Sequence, residues 1–358
     1  MRSTVAVIKT KPKTVLDDIH RAMKLANVEQ HLKKNVPTIL KVNITWHFYY
    51  PACSTTPWQF DGVVSALKQF GYHNFVPAQN RTVVINPKLG AANNHLNSVM
   101  RKYHLNFVYL YEPCTEWIYY KPKAKMLVLD RVYSDGIEIP KMFIGKNAFH
   151  LPTMKTHVFT TITGAMKNAF GGLLNDNRHW THSVIHEALV DLLQIQKEIH
   201  PGIFCVTDGT IAGNGAGPRL MQPEIKNYIL ASGDSVAIDA VAAKMMGFDP
   251  TKMKFLYLAQ ERGLGKANPR EIKIVGSDIS NVNFHFQMKD TLASRGQKAI
   301  YWGRLKPLEY LLLRTPIVPW SFVASRVFHD FYWYSLRGRK IAQKFLDTDW
   351  GALFNSYK

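Results

Sequence analysis

Cysteine is nearly absent from this chain. Cys53, Cys114 and Cys205 are far apart and form no CxxC pair. A cysteine-ligated iron–sulfur cluster normally takes four thiolates, so none can be built from cysteine alone. No disulfide framework is expected, and a reducing compartment fits best. Long apolar runs are missing too. No stretch of about 18 apolar residues occurs, so no ordinary membrane-spanning helix is expected. The N-terminal MRSTVAVIKTKPKTV lacks the apolar core of a signal peptide, and a cytoplasmic location is expected, with a membrane surface as the variant. There is no internal repeat and no low-complexity tract. Acidic residues are scarce: 26 Asp and Glu face 45 Lys and Arg, a formal charge of +19. That excess implies acidic partners, namely nucleic acid, anionic lipid or phosphorylated ligands. The charge is dispersed and no nucleic-acid motif accompanies it, so nucleic acid is not the expected partner.

What remains is a globular composition. The 358 residues are 46% hydrophobic and 12% aromatic, enough for one large domain or two. STVAVIKT reads as a first strand. From Val15 to Leu32, apolar residues recur at helical spacing (Leu16, Ile19, Met23, Leu25, Val28). TILKVNI at 38–44 reads as a second strand ending in a polar loop with Asn43, Thr45 and His47. Residues 58–70 read as a helix closed by Gly71. HNFVPA, TVVIN, FVYLYE and KMLVLD read as further short strands. This alternation predicts βαβ units and a largely parallel sheet flanked by helices, an α/β fold.

The second half repeats the style. GIFCVTDG at 202–209 reads as a buried strand running into a glycine-rich loop. Residues 182–199 read as an amphipathic helix. Residues 234–248 read as a helix capped by Asp234 and stopped by Gly247. The expected organisation is an α/β domain over 1–290, with lobes at roughly 1–145 and 146–290, and a helical aromatic and basic extension over 291–358. Between Leu305 and Phe345 there are seven Lys/Arg, two acids and nine aromatics. The apolar runs YLLLR and PIVPWSFVASRVF are broken by Pro316 and Pro319. This is the composition of a segment lying in a membrane interface. A helical extension packed on the core and a protein-binding surface are the other readings.

The densest chemistry lies in LPTMKTHVFTTITGAMKNAFGG, residues 151–172. It places Lys155, His157, Thr163, Lys167 and Asn168 within fourteen positions. Lysines beside Thr and Gly can hold phosphate or carboxylate, helped by loop amides. A desolvated lysine can also act as acid, base or amine nucleophile. Gly171 and Gly172 would let backbone approach a ligand. The plainer alternative is that both lysines are solvated.

Three further clusters follow. In DNRHWTHSVIHEAL, His179, His182 and His186 share a helical face at i, i+3 and i+7, extended backwards by Asp176. Neutral imidazoles there, with His157 or Asp208, would make a transition-metal site; the alternative is a surface helix with scattered histidines. VTDGTIAGNGAGPR, residues 206–219, delivers Asp208 to a loop with Gly209, Gly213, Gly215 and Gly217, where Asn214 and Arg219 offer contacts. Its spacing is neither a dinucleotide fingerprint nor a Walker A loop. Asp239 stands in a small, apolar helix and could contact the lysines or serve as a site carboxylate.

Several blocks resemble the family catalogued as domain of unknown function 362: IKT near the start, ILKVN at 39–43, LPTMKTHVFTTITGAMKNAFGG, VTDG with GNGAGP, and GDSVAIDAVAAKMMGFDP. The KTH…TGAxKNxFG block is the most specific. The resemblance spans roughly residues 5–280 and implies site roles for Lys155, His157, Thr163, Lys167, Asn168, Asp208, Asp234 and Asp239. Two departures stand out. The family loop usually reads EGxGP, and Ala212 stands where its acid is expected. The ferredoxin-type cysteines of some members are absent, so their electron-transfer role does not carry over. The HxxxxxTGAxK pattern is also similar, more faintly, to the nickel-pincer lactate racemases.

The site is therefore expected between the loops at 41–47, 151–172 and 206–219. The leading expectation is an enzyme acting on a small anionic substrate, phosphorylated or carboxylated. Lys155 and Lys167 would hold or activate it, His157 would be general acid or base, and Asp208 or Asp239 would orient it. Asn43, Thr163, Asn168, Gly209, Asn214 and Arg219 would contact it. The reaction class, and whether a divalent metal or other cofactor takes part, are left open by the sequence. The second expectation is a peripheral membrane protein docked through residues 305–345, and the third a basic nucleic-acid-binding protein.

Overall fold

The computed structural model describes residues 3–81, 84–315 and 318–358. Its strands are β1 (Ser3–Lys9), β2 (Thr38–Lys41), β3 (Phe75–Gln79), β4 (Val108–Tyr109), β5 (Trp117–Tyr120), β6 (Ile137–Pro140), β7 (Asn147–His150), β8 (Thr153–His157), β9 (Thr161–Ile162), β10 (Ile203–Ala216), β11 (Leu220–Ser232) and β12 (Ile272–Gly276). The main sheet runs β12-β1-β11-β10-β7-β2-β3-β4, with β8 attached through β10 and β9 through β8. Pairing is parallel from β10 through β7, β2 and β3 to β4, and also between β1 and β12 and between β8 and β10. The β10–β11, β1–β11 and β8–β9 pairs are antiparallel. β5 and β6 form a separate antiparallel ribbon. The fold is α/β with a mixed, mainly parallel sheet.

Alternation along the strands sorts side chains onto two helical layers. Val5 and Val7 of β1, Ile39 of β2 and Leu230 of β11 join one core, with helices Ile185–Ile199, Ser235–Met246 and Lys254–Glu261. Ala6, Ile8, Leu40, Ile229 and Ala231 join the other, with helices Val15–Leu25 and Pro57–Gln69. Both layers therefore draw on both halves of the chain. The Ser235–Met246 helix is capped as its sequence predicts. The Asp234 carboxylate accepts from the amides of Val236 and Ala237, and Gly247 ends the helix at φ +99°.

Some local expectations fail for identifiable reasons. The helix from Val15 stops at Leu25, because Asn27 adopts φ 52° and breaks the run. KMLVLD forms no strand. The buried Asp191 carboxylate accepts from the amides of Leu127, Val128 and Leu129 at 2.7–3.0 Å, so these groups are not free to enter a ladder. In TVVIN, Thr82 and Val83 lie outside the described residues, and Val84–Asn86 contribute only a bridge at Ile85. The glycine-rich segment is not a loop. β10 continues to Ala216 and pairs with β11 as far as Ala216 opposite Leu220. Gly213 serves close packing, since a Cβ there would fall 2.4 Å from the Met221 sulfur, and Gly215 a left-handed backbone at φ +113°.

The C-terminal extension is not one free arm. Pro316, read as a break in it, lies outside the described residues. Its last part is built into the core. Trp350 is buried against Trp58 and donates to Asn227 Oδ1 at 2.7 Å, and Tyr357 donates to Asp61 at 2.9 Å. The part between Leu292 and Leu336 packs on the 3₁₀ segment Asp176–Val184 through Trp302 and Arg314 and on the loop after β2 through Tyr334, and it carries many exposed apolar residues. No helix among the described residues is long and apolar enough to cross a membrane.

Candidate functional site

A cavity of about 590 Å³ opens where three strands end. Lys41, Gln79 and His157 are the last residues of β2, β3 and β8, and all three line it. Ligands of open α/β sheets gather in such a crevice beyond the carboxyl ends of the strands.

The floor is cationic. Lys41, Lys167, Arg178 and Arg219 line it, and none forms an ion pair among the described residues. Among the described residues the one carboxylate in the wall, Asp176, is already paired with Arg81 at 2.8 Å. Lys41 is buried and donates to Val42 O and Gln79 Oε1. Arg178 donates to the carbonyls of Arg81 and Asn175. Lys167 makes no ion pair among the described residues, and its ammonium lies 5.1 Å from the centre of the Phe170 ring. Desolvation, then the charges of Lys155 and Arg178, bring its pKa down to about 7. Burial likewise holds Lys41 well below the usual lysine value, with Arg178 adding to the effect.

Two neutral imidazoles complete the wall with opposite polarity. His157 Nδ1 accepts the Phe159 amide at 3.1 Å, so the neutral ring carries its proton on Nε2. Burial and then the Lys167 charge keep its pKa well below the histidine range. His182 Nδ1 lies 2.9 Å from the His179 carbonyl, which can only accept, so its Nε2 is left as an acceptor. Burial and Lys167 lower its pKa to about 3. Between the strand and the lysine, Thr163 presents a buried hydroxyl with no hydrogen-bond partner among the described residues. A buried unmatched hydroxyl costs about 1–3 kcal/mol unless a ligand or water meets it.

The helix that carries Lys167 is placed from beneath. Gly164–Asn168 begins where both Asp239 oxygens accept backbone amides, from Ala165 at 2.5 Å and Met166 at 2.9 Å. Gly164 sits at φ +68°, and a Cβ there would fall 2.4 Å from the same carboxylate. At the other end Asn168 donates to the Lys41 carbonyl at 2.8 Å, tying the helix to β2. Gly171 and Gly172 make room for Lys41: a Cβ on Gly172 would meet its Cε at 2.8 Å.

The expected site residues thus divide. His157, Lys167, Asn43, Thr163, Asn168 and Arg219 line the cavity. Lys155 does not; it is buried behind the floor and donates to Cys53 O and to Thr45 Oγ1, which donates on to Asn43. Asp239 acts under the Gly164–Asn168 helix. Asp208 is buried and accepts from Thr210 and from Thr56 Oγ1 at 2.5 Å, which anchors the start of helix Pro57–Gln69. Gly209 packs in the β10 ladder against Met154, and Asn214 bridges Glu224 and the Gln287 amide.

The three histidines are not brought together. Asp176–Val184 is a 3₁₀ segment, which keeps Asp176, His179 and His182 on one side at i, i+3 and i+6, but the α-helix starts only at Ile185, and this change of winding turns His186 away from them. His179 contacts the Leu313 carbonyl, His182 stacks on Tyr301, and His186 packs on Phe255. Among the described residues no group of three or more His, Cys, Asp or Glu is arranged to hold a metal ion.

Sequence reasoning missed Lys41, Arg178 and the roof. A lysine inside ILKVN, among apolar neighbours, was the available signal for the first. Arg178 stood within the histidine cluster. The roof comes from the extension: Ile300, Tyr301, Leu305, Leu313, Trp320 and Phe322 cover the cavity with apolar surface.

Comparison with known proteins adds a relationship. The chain is 28% identical over 141 residues to the thylakoid-associated protein sll1697 of Synechocystis sp. (strain ATCC 27184 / PCC 6803 / Kazusa). The match covers 35% of this chain and 43% of that relative, so the chain spans less than half of its length. No solved structure matches significantly. Residues 38–244 match the model of the family described as domain of unknown function (DUF362), a stretch holding most of the cationic floor and its supports, and the chain belongs to that family.

Proposed function

We propose that this protein binds a small phosphorylated or carboxylated ligand on the cationic floor and acts on it as an enzyme. The observation that carries the reading is the imbalance of charge: four cations line one cavity, and among its described lining residues no carboxylate is left unpaired. Partly desolvated cations without counter-charge are stabilised by an anion that supplies it. Arg178 and Arg219 offer planar forks for its oxygens, and Lys41 a point charge. Lys167, with a pKa near 7, is the group able to give or take a proton at neutral pH. His157 is suited to a different task from acid–base exchange. As a neutral Nε2–H donor it can polarise or hold an oxygen. Titrating phosphorylated and carboxylated metabolites against wild type and Lys167→Ala tests the reading, since equal affinities would remove Lys167 from anion binding.

A second reading, attachment to an anionic membrane surface through residues 305–345, rests on its own observation. Trp320, Val323, Val327 and Phe331 recur at helical spacing and are all exposed, with Arg326 and Arg337 exposed beside them. An exposed apolar stripe flanked by cations is the surface a bilayer interface accepts. The relative's description as thylakoid-associated agrees with it. Sedimentation with anionic liposomes should be salt-sensitive and should be lost in Val323→Asp/Phe331→Asp; binding unchanged in that variant would end this reading.

A further inference from the structure

We infer that the ligand is an amphiphile: an anionic head group on the cationic floor with a hydrocarbon tail along the roof, drawn from a membrane. This inference rests on the anion-binding reading and specifies its substrate class. The first observation is size. The cavity, about 590 Å³, is roughly four times the ~150 Å³ apolar cavity that accepts benzene. A bare phosphate or carboxylate would leave most of it unfilled.

The second observation is the division of the lining. The cations all come from the strand ends and turns, the Gly164–Asn168 helix and the 3₁₀ segment, whereas the extension supplies a mainly apolar wall that includes Ile300, Leu305, Leu313 and Phe322, with Gln297, Ser325 and His329 as its uncharged polar members.

The third is continuity. Leu292, Leu305 and Trp320 line the cavity and are also exposed, by 81, 42 and 44%. Apolar side chains therefore stand both in the lining and at the outer face, where Leu308, Leu311 and Val323 are exposed too. A tail leaving the cavity past them would keep apolar contact, and on the membrane-attachment reading the exposed stripe would face a bilayer.

The test compares one head group with and without a tail on the full chain. Dodecyl phosphate, below its micelle concentration, and inorganic phosphate are titrated calorimetrically against wild type, Leu305→Asp and Lys167→Gln. Each methylene removed from water multiplies affinity about fourfold, so dodecyl phosphate should bind at least about 100-fold more tightly than inorganic phosphate. Leu305→Asp should weaken dodecyl phosphate about tenfold more than it weakens inorganic phosphate, whereas Lys167→Gln should weaken both alike. A terminally brominated chain should quench wild-type tryptophan emission, and less so in Trp320→Phe; this readout needs no change in the roof's shape. Equal affinity of the two phosphates, with no quenching, overturns the amphiphile and leaves the anion site standing. If neither phosphate binds, the anion reading itself fails and takes the inference with it. Tail-dependent binding that Lys167→Gln leaves intact, and that dodecanol matches, overturns the anionic head.

Discussion

The imidazole of His182 lies nearly parallel to the phenol ring of Tyr301, with ring centres 5.6 Å apart and planes 14° from parallel. One ring belongs to the 3₁₀ segment in the wall of the cavity, the other to the helix that begins the roof. Phe159 meets both edge-on, so the three rings form the seam between floor and extension. Tyr301 is buried, and cutting it to alanine should cost about 3 kcal/mol of unfolding free energy, as for other large aromatic truncations. The same change should open the seam. Limited proteolysis should then cut between residues 302 and 314 faster than in wild type, and an unchanged cleavage rate would show that the seam does not hold the roof.

Lys167 sets a pH dependence with a definite sign. An anion favours the charged ammonium, and the free group titrates near pH 7. Affinity should be highest below pH 7 and fall as pH rises through it, by up to tenfold per unit, until the raised pKa of the bound form is passed. Lys167→Met should flatten this slope and lower affinity about 10- to 100-fold at pH 6, the value of a charge-assisted hydrogen bond. A steep slope persisting in Lys167→Met would assign the titration elsewhere.

Asp239 should prove to be a positioning residue. Asp239→Ala removes the acceptor for two buried amides, at a cost of about 1–3 kcal/mol for each group left unmatched. Its ligand affinity should fall through displacement of Lys167, and Asp239→Asn, which keeps one acceptor oxygen, should recover part of both losses. Gly164→Ala should be as damaging, because it combines a left-handed backbone with a clash on the same carboxylate. Thermal unfolding of the three variants, read beside their anion affinity, separates this role from direct catalysis.

The thiols provide a simple check on packing. Cys114 is exposed, whereas Cys53 and Cys205 are buried and their pKa values raised by that burial. Native protein should react rapidly with a thiol reagent at one cysteine, and at the other two only on unfolding. Fast labelling of Cys53 would contradict the packing beneath the floor, where its carbonyl holds Lys155.

The parts visible in the sequence were those written as local patterns. The Asp234 cap, the Gly247 stop and the alternation of β1 all carry their structural meaning in a few residues. The 151–172 block reaches the cavity for the same reason: Lys167 and Asn168 lie on one short helix and Thr163 directly precedes it. What was not legible depended on distance in the chain. Whether Asp239 faces a ligand or a helix terminus is decided by residues 73 and 74 positions away. Lys155 and Lys167 look alike in sequence, yet a strand buries one and a helix offers the other to the cavity. The histidines misled because one continuous α-helix was assumed, whereas the winding changes at Ile185, between His182 and His186, and each ring packs on a different partner. The roof was invisible because its composition reads equally well as core, membrane surface or partner surface.

The lysine at position 41 bears on how this chain would evolve. Its neighbours in β2 are apolar, and folding alone would be served better by methionine or leucine there. The same holds for Lys167. A laboratory selection for heat resistance with no other demand should neutralise these two positions early, since relieving local conflict is among the commonest routes to a sturdier protein. A selection that retains the cellular role should keep them. Comparing the two outcomes would measure, in substitution frequencies, how much folding stability this protein forgoes for the charge in its cavity.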